Sequence, residues 1–210
     1  MRVIVNLIFL FSYLFAQGFP VPMIKYDPKS YICYKSNSAI IIDGKLNDES
    51  WSKTEWSDSF VDIEGPLKPN PFYNTKVKML WDENYFYFGA LLEEEHIWAT
   101  LTARDAVIYY DNDFEIFLDP DGDTHHYYEL EVNAYETEWD LLLIKPYRDQ
   151  SKVAIDSWDI PGLITKVHIA GSLNDPSDLD QYWSVEIAIP WKALEECAPN
   201  VHPLDGEQWK

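Results

Sequence analysis

Carboxylates are concentrated in the middle of this chain, and their spacing fits two kinds of chemistry. Asp119, Asp121 and Asp123 alternate around a glycine turn, as in the first half of a calcium-binding loop. The distal glutamate of an EF-hand loop is missing from the sequence that follows. The spacing therefore predicts that these three aspartates hold a structural Ca²⁺, with a solvated acidic turn as the alternative.

Other carboxylates lie on neighbouring strand-like segments. A pair of carboxyl groups on either side of a glycosidic bond can act as acid and nucleophile, which leaves glycoside hydrolysis open as an activity. The sequence contains no Gly-x-Ser-x-Gly or His-Glu-x-x-His motif, so it does not support an esterase or a zinc protease. The carboxylates of this second set are Asp113, Glu115, Glu129 and Glu131.

Aromatic residues make up 16% of the chain, with nine Trp and fourteen Tyr. This is more ring surface than a core usually requires, so we expect some rings to face solvent or a ligand. Tyr109 and its neighbour Tyr110 lie beside an acidic turn and are the first candidates for a stacking platform. Trp98 and Trp139 are alternative platforms. Packing into the core is the competing explanation for each ring.

The formal net charge of -20 and the sequence pI of about 4.4 limit the possible partners. Binding to a polyanion requires Lys and Arg to displace its counterions, so we expect no nucleic-acid partner. A neutral oligosaccharide or polysaccharide, or a cation such as calcium, meets no such repulsion.

The N-terminus has the pattern of a secretory signal peptide. A basic start is followed by a short apolar run and a small-residue end, which together cover residues 1–18. We expect cleavage and export to the periplasm, the cell surface or the medium, without a stable membrane span in the mature chain. The alternative is an uncleaved anchor.

The chain has two cysteines, Cys33 and Cys197. An oxidising compartment would allow them to form a disulfide that closes a long loop. Two buried thiols are the other possibility, and the sequence leaves both open.

Strand patterns dominate the rest of the chain and predict an all-β fold. Residues 75–81 and 85–91 flank a polar Asp-Glu-Asn turn, which indicates a β-hairpin. In 126–134, alternation places apolar residues on one face and a polar face opposite, where a ligand could bind. Further strands are predicted at 39–42, 139–144, 163–170 and 182–190, with short helical turns near Trp51 and at 191–194.

One domain is the default for 210 residues. After the signal peptide, residues 19–38 form a proline-containing extended lead-in, and 39–210 form an antiparallel two-sheet sandwich. The last residues have the character of a beginning strand, which favours a chain truncated at its C-terminus.

Four ordered motifs between Ile40 and Trp191 carry a resemblance to a known family. The chain resembles the family 9 carbohydrate-binding modules, and most of all the family 9-like secreted proteins. The resemblance implies an immunoglobulin-like or jelly-roll-like β-sandwich with structural calcium. The motifs are residues 42–51 (IDGKLNDESW), 80–87 (LWDENYFY), 113–119 (DFEIFLD) and 185–191 (VEIAIPW).

The resemblance also implies a sugar site. Modules of the founding type hold a terminal sugar between two aromatic rings; by motif, the first ring falls on Tyr109 and a rim carboxylate on Glu115. Where the family has a rim arginine, this chain has Glu131, and the second ring would lie in a C-terminal segment that this chain lacks.

We therefore expect non-catalytic binding of a neutral glycan by stacking on Tyr109, with polar contacts from Glu115 and Arg104, in the service of polysaccharide capture or breakdown. The alternatives are a glycoside hydrolase, or a part of one, and a surface or periplasmic interaction domain without a sugar site.

Overall fold

Two β-sheets pack face to face and contain most of the regular structure of this computed structural model. The first sheet has the strand order β1-β2-β3-β9-β8 and the second has the order β4-β5-β6-β7. All pairings are antiparallel except that of β1 with β2. This arrangement confirms the predicted antiparallel sandwich. The strands are β1 Tyr34–Lys35, β2 Thr75–Trp81, β3 Tyr85–Glu93, β4 Asp113–Leu118, β5 Tyr127–Asn133, β6 Glu138–Leu143, β7 Ala154–Ile155, β8 Ile164–Ala170 and β9 Tyr182–Pro190.

The structure describes residues 28–149 and 152–210. The predicted signal peptide, residues 1–18, and residues 19–27 of the predicted lead-in lie outside the described residues. Within the described part, Ile32–Lys210 forms one compact unit. The helical turns are α1 Glu49–Lys53 and three 3₁₀ turns at Gly65–Leu67, Ile108–Tyr110 and Trp191–Leu194.

The β2–β3 hairpin forms where the sequence predicts it. One carboxylate oxygen of Asp82 accepts the backbone N–H groups of Asn84 and Tyr85, at 2.7 and 2.9 Å. Its other oxygen accepts the Tyr87 hydroxyl at 2.8 Å. Asp82 thus stabilises the turn with its own side chain, as aspartate commonly does in turns.

Alternating residues from both sheets fill the space between them. The predicted apolar face of β5 does face this core, since Tyr128, Leu130 and Val132 are at most 1% exposed. Burial of so many aliphatic and aromatic side chains is the main favourable term for folding. Their partners across the core include Phe114, Ile116, Leu118, Trp183, Val185, Ile187 and Ile189.

The segment 39–57 covers the outer face of the first sheet. The prediction of a strand at 39–42 is wrong, although Ile40 and Ile42 do pack against the Trp51 cluster on this face. The reason lies in the hydrogen bonds, because amides of this segment bind carboxylates instead of a neighbouring strand. The Ile41 N–H group donates to Asp48, and the next polar turn donates to Glu186.

Glu186 fastens this covering segment to β9. Its fully buried carboxylate accepts the backbone N–H groups of Asp43 and Gly44 and the indole N–H of Trp51, at 2.8, 2.7 and 2.7 Å. Gly44 has a φ of +85°, and a Cβ there would lie 2.6 Å from the backbone carbon of Val167. Only glycine allows the segment to approach the sheet so closely.

Of the two states that the sequence leaves open for Cys33 and Cys197, the structure has the free thiols and not the disulfide. They belong to different elements of the sandwich. Cys33 precedes the edge strand β1, whereas Cys197 packs against the inter-sheet core and donates its backbone N–H to the Tyr128 hydroxyl. Burial raises the pKa of the Cys33 thiol to about 12 and also raises that of Cys197. The structure therefore has the two thiols of the alternative prediction.

The position of Glu186 makes stability depend on pH. Burial raises its pKa from 4.5 to about 7, so the folded state holds a proton that the unfolded state releases. The stability from this proton is fully present below pH 4.5 and is lost as the pH rises through about 7. We expect Glu186→Gln to cost about 1–3 kcal/mol at pH 5, because an amide N–H₂ replaces one accepting oxygen, and less at pH 8.

Urea unfolding at several pH values between 5 and 8 measures this difference. Glu195→Gln, at an exposed position, serves as the control and should follow the wild type throughout. Parallel pH profiles for wild type and Glu186→Gln would show that Glu186 does not titrate in this range.

Candidate functional site

The outer face of the second sheet gathers carboxylates and rings from three strands. In the strand register, Glu131 lies opposite Glu115 on one side and opposite Trp139 on the other. Glu129 likewise lies between Phe117 and Leu141. Directly opposed residues project to the same face of a sheet, so these side chains share one surface.

Three glutamates form a tight cluster on this surface. Carboxylate oxygens of Glu115, Glu129 and Glu131 all lie within 4.8 Å of one another. Glu115 is exposed, whereas Glu129 and Glu131 are 2% and 1% exposed. The polar face of β5 that the sequence predicts is therefore present but mostly covered.

Burial changes the protonation of this cluster. It raises the pKa of Glu131 to about 7, with further increases from the carboxylates of Asp113 and Glu115. Burial also raises the pKa of Glu129, to which the Glu115 side chain is hydrogen-bonded. Near neutral pH the cluster consequently retains protons, and a protonated carboxyl can donate a hydrogen bond as well as accept one.

The burial of these carboxyl groups favours binding over hydrolysis. Glycosidases place the sugar bond between two carboxyl groups about 5–9.5 Å apart. Here the carboxylate oxygens approach within 4.8 Å, and two of the three glutamates are buried beneath other side chains. Two of the three carboxyl groups are therefore shielded from a sugar bond by the side chains that cover them.

Tyr109 provides an aromatic surface beside the cluster, as the sequence predicts. It lies on the Ile108–Tyr110 turn, and its backbone N–H donates to Glu131 at 2.9 Å. Its ring is 57% exposed, with its centroid 6.0 Å from that of Trp139 and 4.9 Å from that of Tyr110. The structure thus brings together Tyr109, Trp139 and Glu115.

Tyr147 is a member of this surface that the sequence analysis missed. Its hydroxyl donates to Glu129, and its side chain is still half exposed. It belongs to the irregular connection between β6 and β7, where no periodic pattern indicates which side chain folds back onto the sheet. A lone tyrosine beside a proline and a basic residue gave no distinguishing signal.

Arg104 is not brought to this surface. Its guanidinium pairs with Asp140 at 2.5 Å, with Asp159 at 3.1 Å and with Glu138. Asp140 and Glu138 lie opposite the core residues Leu130 and Val132, so they project from the other face of β6. The predicted role of Arg104 beside Glu115 is therefore replaced by an ion-pair network.

Trp98 also lies on a different segment. It is 44% exposed between the buried residues Ile97 and Ala99. The backbone N–H groups of these two neighbours donate to side chains of the loop before β9, Asp180 and Asn174. In the described part of the chain, its ring is not among those packed around Tyr109.

The acidic turn after β4 brings its three aspartates together, with carboxylate oxygens of Asp119, Asp121 and Asp123 within 4.8 Å of one another. Asp119 is nearly buried and accepts the backbone N–H groups of Gly122 and Thr124, both at 2.9 Å. Backbone hydrogen bonds of 2.7 and 2.9 Å also join Asp119 to Lys210. The turn is thus preformed, with an oxygen donor set of the kind that hard cations prefer.

Within residues 28–149 and 152–210, none of the helices has the length and apolarity that a membrane span requires.

Comparison with known proteins agrees with this geometry. Over 89 residues the chain is 33% identical to endo-1,4-beta-xylanase A of Thermotoga maritima; the match covers 42% of this chain but only 8% of the xylanase. A solved structure of a family 9 carbohydrate-binding module from Caldicellulosiruptor kristjanssonii, in complex with cellotriose, is 22% identical with a TM-score of 0.50. It matches over 82% of this chain and 69% of its own.

A crystal structure of a candidate carbohydrate-binding protein from Bacteroides uniformis is 14% identical with a TM-score of 0.57, over 80% of this chain and 75% of its own. At these identities the solved structures confirm the fold. The family model described as carbohydrate family 9 binding domain-like matches residues 42–205. Because this match covers most of the sandwich, the chain belongs to the carbohydrate family 9 binding domain-like family, a family of binding domains.

Proposed function

We propose that this domain binds a neutral glycan, without cleaving it, on the outer face of the second sheet. The observation that carries the proposal is the placement of Tyr109. Its ring is more than half exposed, and its backbone is fastened to Glu131 at the edge of the carboxylate cluster. A fixed ring beside hydrogen-bonding groups is the arrangement that sugar recognition requires.

The chemistry of the surface matches a pyranose. The C–H face of a sugar ring packs against an aromatic ring, here Tyr109 with Trp139 at its side. Exposed Glu115 can accept hydroxyl hydrogen bonds at the rim. The net charge of -20 favours neutral sugars over uronic acids or sulfated sugars.

The site of action of this domain is outside the cytoplasm. The signal-peptide pattern of residues 1–18 supports export, and a polysaccharide ligand would be met there. The xylanase relative, of which this chain matches 8%, supports association with polysaccharide breakdown. The geometry of the glutamate cluster does not support the alternative of a glycoside hydrolase. Release of reducing ends from xylan or cellulose by the purified domain would support that alternative.

The Tyr109 site makes a direct prediction. Replacing Tyr109 by alanine should raise the Kd for cellotriose about tenfold or more, because the stacking face is lost. Tyr109→Phe should bind nearly as well as wild type, since the phenyl face remains. Isothermal titration calorimetry, with circular dichroism to verify folding, provides the measurement.

Trp98→Ala is the matched control, because Trp98 is exposed to a similar degree on another segment. If Trp98→Ala loses glycan binding and Tyr109→Ala retains it, the stacking platform is Trp98 and not Tyr109. If the folded wild type binds no glycan in a broad array, the sugar-free interaction domain becomes the better description.

The acidic turn is the position at which the domain holds Ca²⁺. Support comes from the three aspartate oxygens within 4.8 Å and from a backbone already closed around Asp119. Asp119, Asp121 and Asp123 would supply the protein ligands, and the ion would neutralise their mutual repulsion. Its contribution is structural, since the turn lies at the end of β4 opposite to the Tyr109 end.

Calcium should therefore stabilise the folded domain. A ligand in roughly hundredfold excess over its Kd stabilises by about 2.7 kcal/mol, so the Tm should rise when CaCl₂ replaces EDTA. Asp121→Asn should reduce that rise, whereas Asp205→Asn, an exposed position elsewhere, should not. An equal rise in both variants would place the ion at another site.

A further inference from the structure

A groove on the first sheet belongs to a different part of the molecule from the Tyr109 surface. It has a volume of about 440 Å³ and is open to solvent. It forms where the end of β3 and the start of β9 meet the residues before β2. A cleft of this volume is large enough for a small organic molecule or for one long side chain. Its lining residues are Tyr73, Leu91, Glu93, Glu94, Glu95, Gln181 and Tyr182.

We propose that this groove binds an aliphatic ammonium group, as carried by an amino sugar or by a lysine side chain. The inference goes beyond the proposed function, because it concerns the other sheet and a cationic ligand. The domain would then have two independent sites, one for a neutral glycan and one for an organic cation.

The combination of rings and carboxylates in the lining is the first argument. Tyr73 is 37% exposed and Tyr182 is partly exposed, and the face of an aromatic ring attracts a cation. Glu93 and Glu95 are exposed and provide the opposite charge. Leu91 adds apolar surface for the carbon atoms that carry the ammonium group. Among the described residues that line the groove, none is basic, so the lining itself does not neutralise its carboxylates.

Hydrogen bonds that hold these groups in place are the second argument. The Glu93 N–H group donates to the Asn74 carbonyl at 3.0 Å, and the Asn74 N–H group donates to the Glu93 carboxylate at 3.2 Å. Tyr182 lies opposite Glu93 in the register of β3 and β9, so the two side chains project to the same face. Glu93 is thus tied to the segment that carries Tyr73 and paired with Tyr182, and such preorganisation lowers the cost of binding.

The arrangement of the carboxylates favours an organic cation over a metal ion. A hard metal ion requires several oxygen ligands close together. In the described part of the chain, Glu93 and Glu95 do not belong to any group of three carboxylates with oxygens within 4.8 Å of one another. Glu94 is buried, and its carboxylate accepts the Trp183 indole N–H at 3.1 Å and the Asn112 amide at 2.5 Å.

The test compares two ligands that differ in charge. Glucosamine carries an ammonium group, whereas N-acetylglucosamine has the same ring without the charge. Titration in about 0.15 M NaCl limits the effect of distant charges. Binding is followed by the backbone amide signals of residues 91–95 in proton–nitrogen correlation spectra, which report on the groove. Glucosamine should bind there with an affinity about fivefold or more above that of N-acetylglucosamine.

Variants of the groove assign this difference to its residues. Glu93→Gln keeps an oxygen for the Asn74 amide but removes the charge, and should lower the glucosamine affinity about fivefold. Tyr73→Ala should have a similar effect, whereas Tyr73→Phe should not. Glu195→Gln removes the same charge at an exposed position elsewhere and should retain the wild-type affinity. Tyr109→Ala should also retain it, which separates this site from the proposed glycan site.

Equal affinity for the two sugars would overturn the ammonium site. Equal losses in Glu93→Gln and Glu195→Gln would also overturn it, because the attraction would then come from the net charge. Binding that disappears in Tyr109→Ala would place the ligand on the second sheet, with the same consequence.

A lysine probe, N-acetyl-lysine methylamide, distinguishes the two sources of the ammonium group. An affinity equal to that of glucosamine would support a lysine side chain of a partner protein, since the ammonium group is then sufficient. A weaker affinity, still lowered by Glu93→Gln, would support an amino sugar, whose ring adds contacts with the tyrosines.

Discussion

The burial of Glu129 and Glu131 on an outer sheet face is the constraint on which the candidate site depends. A carboxylate that leaves water must find hydrogen-bond donors or a proton, or the fold loses stability. Here the donors come from two covering segments, the Tyr109 backbone on one side and the Tyr147 hydroxyl on the other. The groups that satisfy the glutamates are thus the same groups that position the two rings, so the electrostatic requirement of the cluster also fixes the geometry of the aromatic surface.

The first sheet also has a buried glutamate that accepts hydrogen bonds from a covering segment, and there its role is structural. Glu186 projects from β9, is fully buried, and collects three N–H donors from the covering segment 39–57. In both sheets a glutamate on a central strand fastens irregular backbone that has no strand partner of its own. The difference lies in exposure. The Glu186 site is sealed by Trp51, which is 0% exposed, whereas exposed Glu115 leaves the other cluster open to solvent beside Tyr109.

Alternation in the sequence determined which face of each strand is buried, but not what covers the opposite face. The period-2 pattern of β5 correctly predicted Tyr128, Leu130 and Val132 in the core. Tyr109, which the family resemblance pairs with Glu115, binds Glu131 on the strand next to Glu115. Local patterns gave a wrong prediction where a hydrogen bond or an ion pair with another segment determines the structure. The run at 39–42 favours a strand, yet the Ile41 amide binds the Asp48 carboxylate and the next turn is held by Glu186 of β9 through the Asp43 amide. Arg104 pairs with Asp140 of β6 and with Asp159 of a later loop. These two carboxylates are far from Arg104 in the sequence and are brought to it only by the fold.

Retained protons lower the negative charge of the glutamate cluster. Three ionised carboxylates within 4.8 Å would attract a hard cation, whereas a partly protonated set presents both donors and acceptors. Only Glu115 of the three is exposed, so the hydrogen bond between Glu129 and Glu115 stays within the cluster. The raised pKa values of Glu129 and Glu131 follow first from their burial, whereas the hydrogen bonds from the Tyr147 hydroxyl and from the Tyr109 backbone N–H act in the opposite direction and lower them. The two clusters of carboxylates at this sheet therefore differ first in their access to water, because Glu129 and Glu131 are almost fully buried whereas Asp121 and Asp123 of the acidic turn are exposed.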